Sequence, residues 1–101
     1  MNFALHATIL NISDDYKDDD ALNRRLSVRE AHLKRVRTEK AEGRFIIGGA
    51  KLNEQDNMHG SMLVVQLENE QAARKWVSED LYIRGKVWER IEILPFRVAD
   101  V

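Results

Sequence analysis

Three histidines are the residues of this 101-residue chain best suited to proton transfer, since it contains no cysteine. Histidine is the natural acid and base at neutral pH. His32 follows Val28 by four residues and precedes Val36 by four, in a segment of helical character. This spacing puts His32 on the apolar face of the predicted helix. Two interpretations stay open for it, a general base or a hydrogen-bonded residue of the core.

Arg29 precedes His32 by three residues, so the two side chains point to about the same side, one helical turn apart. A guanidinium supplies a fixed fork of donors, and Arg29 could hold an anionic or enolate oxygen beside His32. The alternative is a solvent-facing charge, because residues 23–44 contain eight basic and three acidic residues. A further histidine, His6, could face either a pocket or a dimer interface.

Several classes of site are not supported by the sequence. The histidines lie 26 and 27 positions apart, and no local His pair or cysteine offers metal ligands at a usual spacing. The glycine patterns of nucleotide-binding loops and hydrolase elbows are missing, so we expect no cofactor. A net charge of −1 gives no positive field for nucleic acid. No apolar stretch approaches the roughly 20 residues of a membrane span, and we expect a cytoplasmic protein.

The first half of the chain predicts one strand and one helix. Residues 3–12 alternate with a period of two, which is typical of a strand. The acidic run 13–20 then predicts a solvated loop or a lead-in to a helix. Ser27 and Glu30 have the spacing of a capping box, so a helix should start or restart at Ser27. Gly43 lies where a left-handed residue would stop that helix.

The second half predicts two strands, a short helix and a last strand. Residues 44–50 are β-branched and aromatic, and residues 51–60 form a polar loop. Residues 61–68 are apolar at both odd and even positions, so both faces of this strand should be covered. Asn69 is a suitable N-cap for the short helix. Residues 86–96 alternate again and form the last strand.

The resulting order, β-α-β-β-α-β, predicts an α+β fold of the ferredoxin-like type over residues 1–101, with an antiparallel sheet. Two helices can cover only one face of that sheet. Apolar residues nevertheless fall on both faces, as where Ile91 and Ile93 alternate with Trp88 and Leu94. We therefore expect a homodimer in which two sheets stack face to face.

Several short motifs together resemble the YciI-like, or YCII-related, family over nearly the whole chain. They are the helix segment RLSVREAHL at residues 25–33, Gly48-Gly49, Gly60-Ser61, Asp80-Leu81-Tyr82 and Pro95-Phe96. The family typically has prolines where this sequence has Glu30 and Leu81. The start of the helix and the turn before Tyr82 are therefore expected to differ in shape from the family pattern.

The resemblance implies a dimeric α+β barrel with a pocket between the first helix and the sheet, where a His and an Asp pair. Carried over to this sequence, the pair is His32 and Asp80. A carboxylate bonded to one imidazole nitrogen fixes the tautomer and raises the basicity of the other nitrogen. Ser61 and Tyr82 could line the same pocket or be structural.

The family resemblance also implies a class of chemistry. One branch is similar to dehydrochlorinases of a chlorinated hydroxyquinol, and the wider superfamily includes muconolactone isomerases and cofactor-free monooxygenases. Our first hypothesis is a cofactor-independent lyase or isomerase acting on a small cyclic or anionic molecule, with His32 as the base, Asp80 orienting it and Arg29 stabilising negative charge. The second is a non-catalytic homodimer that binds a small ligand or has a regulatory role.

Overall fold

A computed structural model of the chain describes residues 7–101. The elements in this part are β1 (Ala7–Asp15), α1 (Ala21–Ala41), β2 (Phe45–Leu52), β3 (Met58–Leu67), α2 (Glu70–Ser78), α3 (Leu81–Arg84) and β4 (Trp88–Pro95). His6 and the start of the predicted first strand lie outside the described residues. None of the helices within residues 7–101 is both long and apolar enough to cross a membrane.

The four strands form one sheet in the order β2-β3-β1-β4, and all neighbouring strands are antiparallel. This order places β3 and β1 in the centre, and α1 and α2 each cross over between two strands that run in the same direction. The chain therefore has the predicted ferredoxin-like α+β fold. The four-residue helix α3, which the sequence did not predict, lies between α2 and β4.

The core lies between the helices and one face of the sheet. It is formed by alternate residues of the central strands and by apolar residues of α2, α3 and the start of β4: Ile9, Leu63, Val65, Leu67, Ala73, Trp76, Val77, Tyr82, Val87 and Trp88. Two local signals behave as predicted. The Asn69 side chain accepts a hydrogen bond from the Ala72 backbone N–H at 2.8 Å and caps α2. Gly43 has a φ of 84° just after α1.

The acidic run at residues 13–20 was predicted to be a loop or a lead-in to a helix, and this is wrong for residues 13–15, because β1 continues to Asp15. Residues 16–20 are exposed and lead into α1 as predicted. Ser13 and Asp15 continue the alternation of inward-facing residues and are only 2% and 4% exposed. Two bonds of 2.9 Å from Arg25 compensate the buried charge of Asp15. Because Arg25 lies on α1, the acidic composition of residues 13–20 alone does not show that Asp15 is buried and paired.

The predicted helix start at Ser27 is also wrong, since α1 begins at Ala21. Ser27 lies inside the helix, and its Oγ donates to the Arg24 carbonyl at 2.8 Å instead of capping an N–H group. Residues 21–26 include no glycine or proline, so nothing in the local sequence interrupts the helix before Ser27.

Two strand boundaries differ from the prediction as well. The loop expected at residues 51–60 is shorter, because β2 and β3 continue to pair as far as Leu52 and Met58. The register of β1 against β4 shifts between Asp14 and Asp15, which pair with Arg90 and Trp88. This shift turns the indole of Trp88 toward the helices rather than to the side of Leu94.

The other face of the sheet is apolar in part, and no helix within residues 7–101 covers it. Paired residues place Ile47, Met62, Val64 and Leu94 on this face. Ile47 is 58% exposed, and Met62 and Leu94 are each 39% exposed. We call this surface the open face.

Candidate active site

The centre of the candidate site is a buried contact between α1 and the start of α3. His32 Nδ1 lies 2.7 Å from Asp80 Oδ1. His32 is 5% exposed and Asp80 is fully buried. Asp80 is also the N-cap of α3, because its Oδ1 accepts a hydrogen bond from the Tyr82 backbone N–H at 2.9 Å. Helix capping thus positions the carboxylate that the histidine contacts.

The second oxygen of Asp80 is bonded to Arg35, a residue that the sequence analysis did not single out. Arg35 Nη1 donates to Asp80 Oδ2 at 2.8 Å, and Nη2 donates to the Trp76 carbonyl at 2.7 Å. The guanidinium also lies over the Trp76 ring, 4.3 Å from its centroid. Both oxygens of Asp80 are therefore held by groups from α1 and α3.

These contacts determine the ionisation of Asp80. Burial raises the pKa of this carboxyl, but the hydrogen bond and charge of His32, the Tyr82 N–H and the charge of Arg35 together hold it below its ordinary value. Because an ionised carboxylate can only accept, His32 Nδ1 is the donor in the contact. The lone pair of a neutral His32 ring is then on Nε2.

Two aromatic rings fix the plane of the His32 imidazole. The Tyr82 ring stacks on it, with centroids 3.9 Å apart and an interplanar angle of 9°. Trp88 approaches edge-on, with a centroid distance of 6.0 Å and an angle of 84°. Burial raises the pKa of the Tyr82 phenol, which keeps this ring neutral.

A second buried polar group, centred on Arg25, adjoins the first. Arg25 Nη1 donates to both oxygens of Asp15 at 2.9 Å, and Nη2 donates to Ser61 Oγ at 2.8 Å. The guanidinium lies 4.8 Å from the centroid of the Tyr82 ring. Trp88 Nε1 donates to the same Ser61 oxygen at 3.1 Å.

The sequence does contain a signal that Arg25 belongs to the site. Arg25, Arg29 and His32 are spaced by four and three residues, so they share one face of α1. The basic segment is expected to face solvent except where part of it meets an anionic ligand, whereas Arg25 is buried and only 3% exposed. A loop or a lead-in to a helix, as predicted for residues 13–20, does not indicate that Asp15 is the partner of Arg25.

An open cleft of about 420 Å³, including its mouth, lies between α1, β2 and β3. Its lining residues are Arg25, Arg29, His32, Leu33, Val36, Phe45, Gly48, Gly49, Ala50, Met58, Ser61, Leu63 and Tyr82. The structure thus brings four of the proposed site residues to one cleft: His32, Ser61 and Tyr82, all buried, and the exposed Arg29. Asp80 lies behind His32. Within residues 7–101, no three His, Asp or Glu side chains are grouped so that they could hold a metal ion.

Comparisons with known proteins agree on the fold. A family model described as the YCII-related domain matches residues 12–97. Protein YciI of Escherichia coli is 33% identical over 84 residues, which cover 77% of this chain and 86% of that protein.

Two solved structures are also similar. A 5-chloro-2-hydroxyhydroquinone dehydrochlorinase from Burkholderia phenoliruptrix, in complex with 2,5-dihydroxybenzoquinone, has a TM-score of 0.77 at 20% identity, covering 91% of this chain and 95% of that one. A dimeric ferredoxin-like protein from an uncultured marine organism has a TM-score of 0.57 at 12% identity, covering 99% and 95%. At these identities the likeness shows a shared fold.

Proposed function

The chain belongs to the YCII-related domain family, and from this membership and the geometry of the cleft we propose that it is a cofactor-independent enzyme. Its reaction is of the lyase or isomerase type and begins with proton transfer from a small cyclic or anionic organic molecule. The observation that carries the proposal is the buried contact of 2.7 Å between His32 and Asp80, with His32 lining an open cleft.

His32 is the general base in this proposal. The bond to Asp80 holds the proton on Nδ1, so Nε2 is free to accept a proton from the substrate and later return it. The ionised Asp80 also stabilises the imidazolium that forms when Nε2 is protonated. Arg35 and the Tyr82 N–H keep the carboxylate in place while the charge on the ring changes.

Arg29 binds the negative charge of the substrate. It lies one turn from His32 on α1, lines the cleft and is exposed at its mouth. The neighbouring Arg25 already makes two bonds to Asp15, so its charge is largely compensated. Arg29 is therefore the cation that an anionic group of the substrate can approach. Because Arg29 is exposed, the protein does not bury an uncompensated charge to provide it.

A homodimer is part of the proposal. The open face presents exposed Ile47, Met62 and Leu94, which a second copy would cover if two sheets stack. A structural neighbour with the same fold is described as dimeric.

The solved dehydrochlorinase gives a starting point for ligands. Its fold is similar, and its solved structure is a complex with 2,5-dihydroxybenzoquinone, a small ring with oxygen substituents. We expect this compound or related hydroxyquinones and cyclic enols to bind in the cleft and raise the melting temperature.

The test combines binding with proton exchange. Compounds that raise the melting temperature are incubated with the protein in deuterated water, and exchange of their carbon-bound hydrogens is followed by NMR. We expect His32→Ala to slow exchange by about 100-fold or more while binding largely survives. The matched control is His59→Ala, which replaces an exposed histidine of β3 that does not line the cleft.

Two outcomes would contradict the enzyme proposal. If compounds bind but none exchanges, and His32→Ala abolishes binding, the chain is the non-catalytic ligand-binding protein of the second hypothesis. If exchange is equally fast in His32→Ala and wild type, another group is the base.

A further inference from the structure

Ser61 accepts two hydrogen bonds from groups that can only donate. Arg25 Nη2 lies 2.8 Å from Ser61 Oγ, and Trp88 Nε1 lies 3.1 Å from it. A guanidinium and an indole N–H have no acceptor atom, so the direction of both bonds is fixed. Ser61 is only 2% exposed, and its two partners are buried as well.

The proton of Ser61 must therefore be donated elsewhere. A serine hydroxyl has two acceptor lone pairs and one proton, and the two bonds already use both lone pairs. Among residues 7–101 no side chain or backbone oxygen accepts a hydrogen bond from Ser61 Oγ, whereas the residue does line the cleft. The acceptor that this hydroxyl suits is an oxygen atom of a molecule in the cleft.

The surroundings make this hydroxyl a fixed and strengthened donor. Arg25 is held by both oxygens of Asp15 and by the Tyr82 ring, so it cannot move away from Ser61 without breaking buried contacts. A hydrogen bond from a charged donor polarises the O–H group that receives it. The same contacts that orient Ser61 thus favour donation to a negatively charged oxygen.

Ser61 on β3 and the proposed base on α1 both line the cleft and share two aromatic neighbours. Trp88 donates to Ser61, and its ring is 6.0 Å from that of His32. Tyr82 stacks on His32 and also lies under Arg25, the other partner of Ser61. One small ring in the cleft could therefore contact both His32 and Ser61.

We propose that Ser61 donates a hydrogen bond to the substrate oxygen that becomes negative when His32 Nε2 removes a proton. This inference rests on the proposed function and narrows the substrate class to phenols and enolisable carbonyl compounds. With a phenol, the O–H bond breaks, an N–H bond forms at Nε2, and the electron pair stays on oxygen. With a ketone, the C–H pair forms the C=C bond while the C=O π pair moves to oxygen.

The experiment uses 4-nitrophenol, because only its ionised form is yellow. The ratio of bound phenolate to bound phenol is measured by absorbance at fixed pH in the wild-type protein and in variants. We expect the wild type to favour the phenolate, and Ser61→Ala to lower the ratio by about tenfold or more, since hydrogen bonds to charged oxygens are strong. Ser61→Thr keeps the hydroxyl and should give the same ratio as the wild type.

Two controls separate this effect from a loss of folding. Ser61→Cys keeps an atom for Arg25 and Trp88 to approach but donates only weakly, so its ratio should fall as in Ser61→Ala. Ser78→Ala changes an exposed serine of α2, which donates to the Lys75 carbonyl, and should leave the ratio unchanged. Melting temperatures of all variants are recorded with the same samples.

The outcomes distinguish the inference from the proposed function. An equal ratio in wild type, Ser61→Ala and Ser61→Cys would overturn the role of Ser61 while leaving His32 as the base. If wild-type protein neither binds 4-nitrophenol nor favours its ionised form, both the inference and the proposed function are contradicted.

Discussion

Asp80 links the fold and the candidate chemistry through two oxygen atoms. Oδ1 receives hydrogen bonds from His32 and from the backbone of Tyr82, and Oδ2 receives one from Arg35. All three hydrogen bonds are made to the charge of this fully buried carboxylate. A change at Asp80 therefore affects stability and the orientation of His32 together.

Replacing Asp80 should change the pH dependence of stability. Its pKa in the folded protein lies below the usual value of 3.8. The unfolded chain thus binds this proton more readily, so the stabilisation is present above about pH 4 and is lost as the pH falls through the lowered pKa. Asp80→Asn should be less stable than wild type by about 3 kcal/mol at pH 7, and by less at about pH 3.

Urea unfolding at both pH values measures this difference. Asp100→Asn, in an exposed part of the chain, serves as the control and should match the wild type at both. A loss in Asp80→Asn that is equally large at both pH values would show that the charge of Asp80 contributes nothing.

The surface ion pair of Arg24 and Asp18 can be titrated independently of the buried site. Hydrogen bonds of 2.6 and 2.7 Å from Arg24 to the carboxylate of Asp18 lower its pKa to about 2. We expect Arg24→Met to return the Asp18 pKa toward the usual value of 3.8, as measured by carboxyl carbon NMR. An unchanged titration in this variant would contradict the contact.

The two main helices, α1 and α2, begin in different ways. The N-cap residue of α1, Asp20, makes no side-chain capping bond, so the start of this helix depends on packing and on contacts such as that of Arg25. The N-cap of α2, Asn69, does accept from the Ala72 N–H. The shorter helix therefore relies more on its local sequence.

Asn69→Ala should destabilise the protein by about 1 kcal/mol, because the capped N–H of Ala72 loses its partner. Gln71→Ala is the matched control, since Gln71 is exposed in the first turn of the same helix and takes no part in the cap. Urea unfolding at neutral pH distinguishes the two. Equal stability of both variants would show that the cap does not stabilise α2.

The signals that predicted elements correctly were local ones. Gly43 and Asn69 mark helix ends by their own backbone and side-chain chemistry, and alternation identified the first and last strands. The failures at Asp15 and Ser27 have the opposite cause. Asp15 extends β1 because Arg25 compensates its charge, and Ser27 has capping chemistry but lies within a longer helix. Neither contact partner nor helix length can be read from a short window of sequence.

The same distinction holds for the candidate site. Helical spacing placed His32 on the inner face of α1, and the family resemblance indicated Asp80. Arg25 and Arg35 were missed because each is bonded to a partner distant in the sequence, Asp15 or Asp80. In the sequence they look like any other charges on a basic helix. Only the tertiary structure shows which of these charges face inward.

For the whole molecule, the two faces of the sheet differ. One face packs against the helices and forms the core, and the cleft lies on that side. The open face carries exposed apolar side chains that no described element covers. If a second copy covers this face, each cleft stays accessible from outside the dimer.

A charge on the open face should separate the proposed dimer. We expect wild-type protein to sediment as a dimer at micromolar concentrations and Leu94→Glu to sediment as a monomer, because a carboxylate would be buried between the sheets. Leu26→Glu is the control, since Leu26 is 51% exposed on α1 and lies outside the open face. A monomeric wild type would contradict the proposed dimer.

The central claim is that Asp80 holds the proton on Nδ1 of His32 and leaves Nε2 free as a base. Nitrogen NMR of protein labelled at the histidine rings tests it directly, without a substrate, at about pH 9, well above the usual pKa range of histidine. We predict that His32 gives a protonated Nδ1 and an unprotonated Nε2, and that Asp80→Asn alters this pattern. A ring with its proton on Nε2 would contradict the account, since that nitrogen could not then accept a proton.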